Sequence, residues 1–592
     1  MPQQKRKQKG DDPPRLTRAA VQFALRHVVR YGDTDLLPLP FEFGAIRFKW
    51  NDVFLPWFLQ QDVGTWKTRP FRRIMTPKAY GGFRMATQLD PLDSLFYTAL
   101  VYMLGPAIEA ARLPISDGVA IAHRFRRNAK GSMWTEGGTW GDFQRRSRAL
   151  AESPDVRVVL KADIADFYQR IYHHPLENRL KATGVRAAYV RALLRLLSEC
   201  NGNVSYGIPI GQAASRLLAE LVLDDIDRAL IGEGFTHCRW IDDFRIFCST
   251  DREANKALAF LTKALSENHG LGLQQSKTVF LTDSNFQLEL EQAETIAIQV
   301  NRDTRSIALP KFLGPEPQED GDDDEFDDDN DDDPDDDAKD GWGEDGGEDD
   351  WDFDDLPKVS LAPTSFEYLP AEIRALVDRF DAGKIVMQLL ARYSRGFGVR
   401  APDPGLLRVL IAKLIQERDV TASDAVVANL GNIGPILPDA IRYLNAIRGK
   451  LTRQRRIEIG DECSLLLQDT HLGDLEFSIM WVLSLFADST AFDHENRLPQ
   501  FYNDYQVQAA RRKSILAIGN SKNDGWFRVH RNEFASLAPW ERRAFLFGAR
   551  CMEKDERKHW YDSVKKGFDT LDTAIVAYAS RERAKRGVKT PR

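Results

Sequence analysis

Two patterns of apolar spacing divide the chain. Between Leu16 and about Leu313 they alternate. AVQFALRHVVRY (20–31) and SLFYTALVYMLGPAIEAARL (94–113) place apolar residues at the i, i+3, i+4 interval of a helix. RVVLKADI (157–164), FTHCRWI (235–241) and FRIFCS (244–249) are instead rich in β-branched and aromatic residues, the signature of strands. Such a mixture predicts an α+β fold. Beyond Pro357 the strand-like runs nearly vanish. AEIRALVDRF (371–380), KIVMQLLARY (384–393), LLRVLIAKLIQER (406–418), PDAIRYLNAIR (438–448), EFSIMWVLSLFA (476–487) and WERRAFLFGAR (540–550) keep helical spacing, with Gly, Pro or Asp between them. They predict stacked antiparallel helices, an all-α bundle or helical-repeat region with no strict period.

A chain of 592 residues is long enough for two or three domains. Its formal charge of −7 conceals a split. Glu316–Asp355 holds 25 Asp/Glu against one Lys, while the other 552 residues carry 80 Lys/Arg against 63 Asp/Glu. A basic body of that kind fits a nucleic-acid partner. Around the acidic stretch aliphatic residues are scarce and like charges repel, so a solvated, unfolded linker is expected there. The same charge suits a second role, competition with nucleic acid for the basic body. The expected organisation is a disordered basic terminus (1–15), a mixed domain (16–313), the acidic linker (314–358) and a helical region (359–592).

Several classes drop out. No run of 18 apolar residues occurs, so no membrane span is expected. MPQQKRKQKGDDPPR has no apolar stretch behind it and does not read as a secretion signal. Five scattered cysteines without CxxC spacing predict reduced core thiols of a cytoplasmic protein, and the ten histidines form no HExxH pattern.

Three carboxylates stand out by position. Asp163 ends the apolar run VVLKAD, where an acidic group is costly unless a cation meets it. Asp242 and Asp243 lie between the runs RWI and FRIF at hairpin spacing, which predicts both at the tip. Brought beside Asp163, they form a cluster of hard oxygen ligands suited to Mg2+. Two such ions, roughly 3.5–4 Å apart, can activate a 3′-hydroxyl and stabilise departing pyrophosphate.

KADIADFY (161–168), GIPIGQAASRLLAE (207–220), RWIDDF (239–244) and GLGLQQSKT (270–278) resemble, in order and spacing, palm motifs A to D of reverse transcriptases. The resemblance covers about half the chain. It implies a right-hand polymerase with fingers and palm, and residue roles to match. Asp163 and Asp242 would bind metal with Asp243 as third acidic member, and Ile164 would lend its carbonyl. Tyr168 would close the pocket against a ribose 2′-hydroxyl, favouring dNTPs. Ile210 and Gly211, in the loop Gly207–Gly211, would shape the base-pair pocket. Lys277 would donate a proton to the leaving pyrophosphate. PKAYGGFR (77–84) resembles the fingers segment that grips the triphosphate, through Lys78 and Arg84.

Departures narrow the resemblance. Motif C opens with Trp240 instead of Tyr or Phe, motif B has Ile210 where Gln is common, and Ser215 is followed by Arg216 instead of Pro. With YGDTDLLPLP (31–40) and the helical C-terminal part, the chain resembles the abortive-infection, defence-associated branch of bacterial reverse transcriptases. That implies a DNA polymerase, RNA-directed or template-independent, using Mg2+ with Mn2+ as substitute and acting in antiphage defence. Its partners would be dNTPs and an RNA or DNA template or product. A non-coding RNA, a covalent protein–DNA product and a homo-oligomer stay open. The alternative is a palm-fold scaffold that binds nucleic acid without catalysis. Clustered anions beside phosphates argue against it. Trp481, Trp526, Trp540 and Trp560 are expected in the core, with base stacking as the alternative.

Overall fold

The computed structural model describes residues 13–78, 82–127, 131–135, 138–298, 381–393, 404–468, 475–488, 492, 498–504 and 507–586. The acidic stretch 314–358, residues 1–12 and the run 371–380 lie outside them.

The mixed half is α+β and is built on a four-stranded antiparallel sheet. Its strands are β3 (Val158–Asp163), β4 (Thr236–Trp240), β5 (Asp243–Cys248) and β6 (Val279–Thr282), in spatial order β4-β5-β3-β6. β3 and β5 are buried along nearly their whole length, which explains their continuous apolar reading in place of alternation. A separate hairpin, β1 (Arg72–Pro77) with β2 (Phe83–Gln88), forms the fingers.

The helix Pro91–Ala111 fills the centre of this half. Asp90 caps it by accepting from the Leu92 N–H (3.0 Å), and Pro91 starts it. By length and composition alone this helix is apolar enough to cross a membrane, contrary to the expectation that no segment would be. Its surroundings explain the composition differently. Most of its side chains are buried in protein, Asp93 is paired with Arg69 (2.9 Å) and accepts from Trp66 Nε1 (2.9 Å), and Tyr97 shares a 2.9 Å hydrogen bond with Ser215. A helix covered on all sides needs no polar face.

Past residue 381 the described residues form helices and no strands. Ala382–Tyr393, Pro404–Glu417, Leu437–Ile447, Glu476–Asp488 and Pro539–Gly548 fall on the expected runs, and Gln508–Asn520 and Thr570–Arg586 join them. These helices share one apolar core with the mixed half. The junction is also tied by polar groups. Arg512 donates to Glu42 at 2.6 Å, both side chains being buried, and Trp540 donates from Nε1 to the Pro70 carbonyl (2.8 Å) while Arg72 stacks on its ring. The C-terminal helices therefore brace the base of the fingers hairpin. Trp481, Trp526, Trp540 and Trp560 are all buried, so they pack the core and offer no face to a base. All five cysteines are free thiols, four buried and Cys551 half-buried.

Candidate active site and nucleotide pocket

Strand register carries the acidic residues together. β3 and β5 run antiparallel with Asp163 opposite Asp243, and β4 meets β5 with Trp240 opposite Asp243. The turn between β4 and β5 is therefore Ile241–Asp242. Asp243 is the first residue of β5 and not part of the tip, a one-residue correction to the expected hairpin. It puts Asp242 in the turn and Asp243 in the sheet beside Asp163. Ile241 takes φ +54°, a left-handed conformation rare for a β-branched residue. Arg239 Nη1 holds its carbonyl at 2.8 Å. Trp240 explains itself by packing: its ring lies 5.4 Å from that of Trp140, edge to face.

The carboxylates repel one another. Burial pushes the Asp242 carboxyl up to about 7, and the charges of Asp243 and Asp163 push it the same way. Asp243 is raised as well, first by burial and then by Asp163. Their cation is Lys277, whose Nζ lies 2.7 Å from Asp163 Oδ2. Desolvation works against the Lys277 ammonium, but the hydrogen bond and charge of Asp163 outweigh it and raise its pKa. Lys277 is thus drawn onto Asp163 and does not project alone toward a leaving group. Its side chain is 62% exposed, so this is a surface ammonium and not a buried bridge that closes the cluster.

Among the described residues, no three His, Cys, Asp or Glu side chains form a ready-made metal cage. The palm fits the looser demand of Mg2+, which takes one or two carboxylates and completes its shell from substrate phosphates and water. The Ile164 carbonyl suits the same set. The adjoining bridge to residues 272–274 uses the Asp163 carbonyl (from Gln274 N–H, 2.7 Å) and the Ala165 N–H (to Gly272, 2.9 Å), leaving the Ile164 carbonyl outside that ladder.

Tyr168 begins beneath this edge, on the short helix Phe167–Arg170. Its backbone pins the motif B loop: the Ile208 N–H donates to the Tyr168 carbonyl (2.9 Å) and the Gly207 N–H to Ile171 (2.8 Å). Its phenol is raised chiefly by burial. The charge of Arg216 opposes that, and Asp242, Glu220 and Asp35 reinforce it. Gly211 (φ +104°) carries the loop past Thr34, where a Cβ would stand 2.2 Å from Oγ1, and its carbonyl accepts from the Asp35 N–H (3.1 Å). Ile210 beside it is half-buried. The YGDTDLLPLP segment is thus the wall of this loop, and the unusual Arg216 is paired with Asp35.

Lys78 closes the fingers hairpin, its N–H bonded to the Gly82 carbonyl (2.9 Å) and its ammonium 3.6 Å from Asp166 of the palm. Arg84 lies across the hairpin from Thr76, and its buried Nε has no hydrogen-bond partner among the described residues. Fingers and palm thus approach each other at Lys78. The sequence reading overlooked Asp35, Asp166 and Arg239. An Arg in the middle of a buried strand carries the same cost argument that singled out Asp163, so Arg239 was findable. Asp35 and Asp166 carried no comparable signal.

Residues 77–316 match the family model described as reverse transcriptase (RNA-dependent DNA polymerase). No curated protein matches the chain. Solved structures that match include apo telomerase from Candida tropicalis truncated from its C-terminal domain, at 12% identity and a TM-score of 0.26, covering 36% of this chain and 52% of that one. Telomerase from Candida albicans in complex with a TWJ fragment of telomeric RNA matches at 11% identity and 0.30, covering 69% of this chain and 63% of that one. The chain thus spans only about half to just under two thirds of the telomerase chains it matches. The family match takes in the fingers segment and all four palm motifs, and on that ground residues 77–316 form a reverse transcriptase domain.

Proposed function

We propose that this protein is a cytoplasmic DNA polymerase that adds dNTPs to a 3′ end by a two-metal mechanism, RNA-directed or template-independent, and acts in bacterial antiphage defence. The observation that carries the polymerase reading is the cluster of Asp163, Asp242 and Asp243 at the ends of β3 and β5, only partly compensated by Lys277. Asp163 and Asp242, with the Ile164 carbonyl, would hold Mg2+ or Mn2+, and Asp243 would support them. Such ions, when bound, supply Lewis-acid activation of the 3′-hydroxyl and charge stabilisation on the departing pyrophosphate.

The chain's own groups do the rest. Lys78 and Arg84 neutralise and orient the triphosphate. Tyr168 fills the space a ribose 2′-hydroxyl would need, and the Ile210–Gly211 backbone bounds the base pair. Lys277 keeps its proton beside the reacting groups and is the candidate donor to pyrophosphate. The basic body holds template or product by its phosphates. The Ser-Arg-x-Leu-Ala-Glu form of motif B, its YGDTDLLPLP wall and the helical C-terminal region support the defence-associated assignment.

The test is dNTP incorporation in Mg2+ and in Mn2+, with the double variant Asp242→Ala/Asp243→Ala as control. Activity in the wild type alone is expected. Equal silence of both proteins in both metals would leave the nucleic-acid-binding scaffold as the reading. Tyr168→Ala should gain ribonucleotide incorporation, and unchanged sugar preference would remove Tyr168 from its role.

A further inference from the structure

Unmatched charge also collects outside the catalytic cluster, where three segments of the mixed half meet. They are residues 13–18, the loop 61–69 and residues 186–199, which contain the helix Ala187–Glu199. Hydrogen bonds join them. The Val63 N–H donates to the Pro14 carbonyl (2.8 Å), and the Tyr189 hydroxyl donates to the Arg15 carbonyl (3.0 Å). Arg195 Nη2 donates to the Gly64 carbonyl (2.6 Å), and Glu199, one turn further along the helix, accepts from the Thr68 N–H (3.3 Å).

These three segments hold seven Arg or Lys against two carboxylates. Both carboxylates serve the backbone, since Asp62 Oδ1 accepts from the Gly64 N–H (2.7 Å) as Glu199 does from Thr68. Arg15, Arg18, Lys67 and Arg191 are exposed and meet no carboxylate among the described residues. Arg195 is exposed too and bonds the Gly64 carbonyl alone. Other guanidiniums of this half are matched: Arg179 and Arg228 share Asp224, and Arg112 meets Glu220. Arg191 and Arg195 stand one turn apart on the same helix, an interval at which like charges repel and destabilise it. No carboxylate among the described residues offsets that repulsion, whereas an anion from outside would.

We propose that Arg15, Lys67, Arg191 and Arg195 form a sequence-independent contact for the phosphate backbone of a nucleic acid, apart from the catalytic residues. The choice of a nucleic acid over other polyanions rests on the polymerase reading. Guanidinium forks with spare donors suit phosphate oxygens. Base stacking is not on offer: Trp66 is buried and Tyr189 is half-buried with its hydroxyl engaged, and these are the only aromatic rings of the three segments. The full-length protein, its Arg191→Ala variant and the double variant Arg191→Ala/Arg195→Ala are titrated with fluorescent oligonucleotides across a salt series. The probes are mixed-sequence and oligo-dT single strands and an RNA–DNA duplex. Poly-glutamate and phosphatidylserine vesicles are titrated in parallel.

The double variant should bind oligonucleotides several-fold more weakly whatever their sequence, with a salt slope shallower by about 2 and no loss of melting temperature. Arg191→Ala keeps the Gly64 contact and should show about half that change in slope, so it tests the proposal even if the double variant folds poorly. Unaltered oligonucleotide binding by a well-folded variant, or a loss that depends on base sequence, would overturn the proposal. So would a loss confined to poly-glutamate or to the vesicles, which would assign this face to an acidic protein or a lipid surface. Incorporation of dNTPs by the same proteins separates this contact from the polymerase reading. Weakened binding in the variants of a protein that incorporates no nucleotide would defeat that reading and leave the contact standing. Unaltered binding beside normal incorporation would do the reverse.

Discussion

Two groups of carboxylates lie on neighbouring parts of the palm and differ in how their charge is met. Inside the domain, Asp227 receives Arg239 Nη2 at 2.6 Å and Nε at 2.9 Å, with His237 at 3.2 Å. Glu220 has Arg239 Nη1 at 3.0 Å and Arg112 Nη2 at 2.9 Å. Burial pushes the Asp227 carboxyl up, yet Arg239 and His237 overcome it and hold the group far below the usual carboxylate range. At the strand ends, Asp163 is paired with the exposed Lys277 ammonium and Arg245 also acts on Asp243, yet Asp242 and Asp243 are still pushed upward. The first group compensates itself and belongs to the fold. The second is left short of countercharge, as the proposed metal-binding role requires. Arg239 connects them, because the guanidinium that neutralises the interior also holds the Ile241 carbonyl that precedes Asp242.

The largest contrast should come from Asp163→Asn. Loss of a metal ligand removes several kcal/mol of transition-state stabilisation, so incorporation should fall on the order of 10³-fold or more. Removing one of three repelling charges should leave the melting temperature equal or higher. A variant that loses activity and stability together would erase the distinction between the two groups.

The opposite pattern is expected of Arg239→Met. It takes from buried Asp227 its only guanidinium among the described residues and leaves Glu220 to Arg112 alone, a change worth about 3–5 kcal/mol of stability. The midpoint of urea unfolding reports it directly, and an unmoved midpoint would mean the interior charges do not need Arg239. Gly211→Ala should have a smaller effect. Strain at φ +104° and the collision with Thr34 Oγ1 would cost roughly 1–3 kcal/mol and displace the motif B loop. Steady-state kinetics should show KM for dNTP rising more than kcat falls; a pure kcat effect would detach the loop from nucleotide binding.

Much of this was legible before any coordinates. The palm strands announce themselves because β-branched and aromatic runs with acidic ends have few other uses, and the four motifs fix their order. Five of the helices beyond residue 381 were legible from spacing alone, whereas Gln508–Asn520, buried almost all round, was not. Packing between distant segments was not. Nothing in the local pattern places Gly434 on Pro77 or Arg512 on Glu42, because such contacts depend on the path of the whole chain. The turn shifted by one residue for a related reason. Spacing gives the length of a hairpin, but its register is set by which pairs close the ladder, here Trp240 with Asp243. In the sequence Arg216 is a departure from motif B and YGDTDLLPLP a mark of the branch the chain resembles; that Arg216 pairs with Asp35 of that segment shows only in the fold.

The smallest expected effect asks whether a raised carboxyl alone marks a cation site. Asp33 is buried at the base of the fingers, where the Gln88 amide donates to both its oxygens (3.0 and 3.3 Å). Burial pushes it up to about 7, with the Gln88 hydrogen bond and Arg72 only partly opposing. It resembles Asp242 in that respect, but the only like charge that adds to its rise among the described residues is Glu42, against Asp243 and Asp163 at Asp242. The unfolded chain loses this proton near the ordinary carboxylate value of 3.8, whereas the folded chain keeps it to about 7. The folded state thus binds the extra proton between these values, so stability falls as pH rises through that window and levels off above it. In Asp33→Asn the amide oxygen still accepts from Gln88, and no charge develops. Thermal melts should put the variant a few degrees above wild type at pH 8 and level with it at low pH, on the order of pH 4. An equal difference at both pH values would show that the buried charge is not the cause. The expected result would separate a carboxyl raised chiefly by burial from one raised also by two converging carboxylates, the kind the proposed Mg2+ site needs.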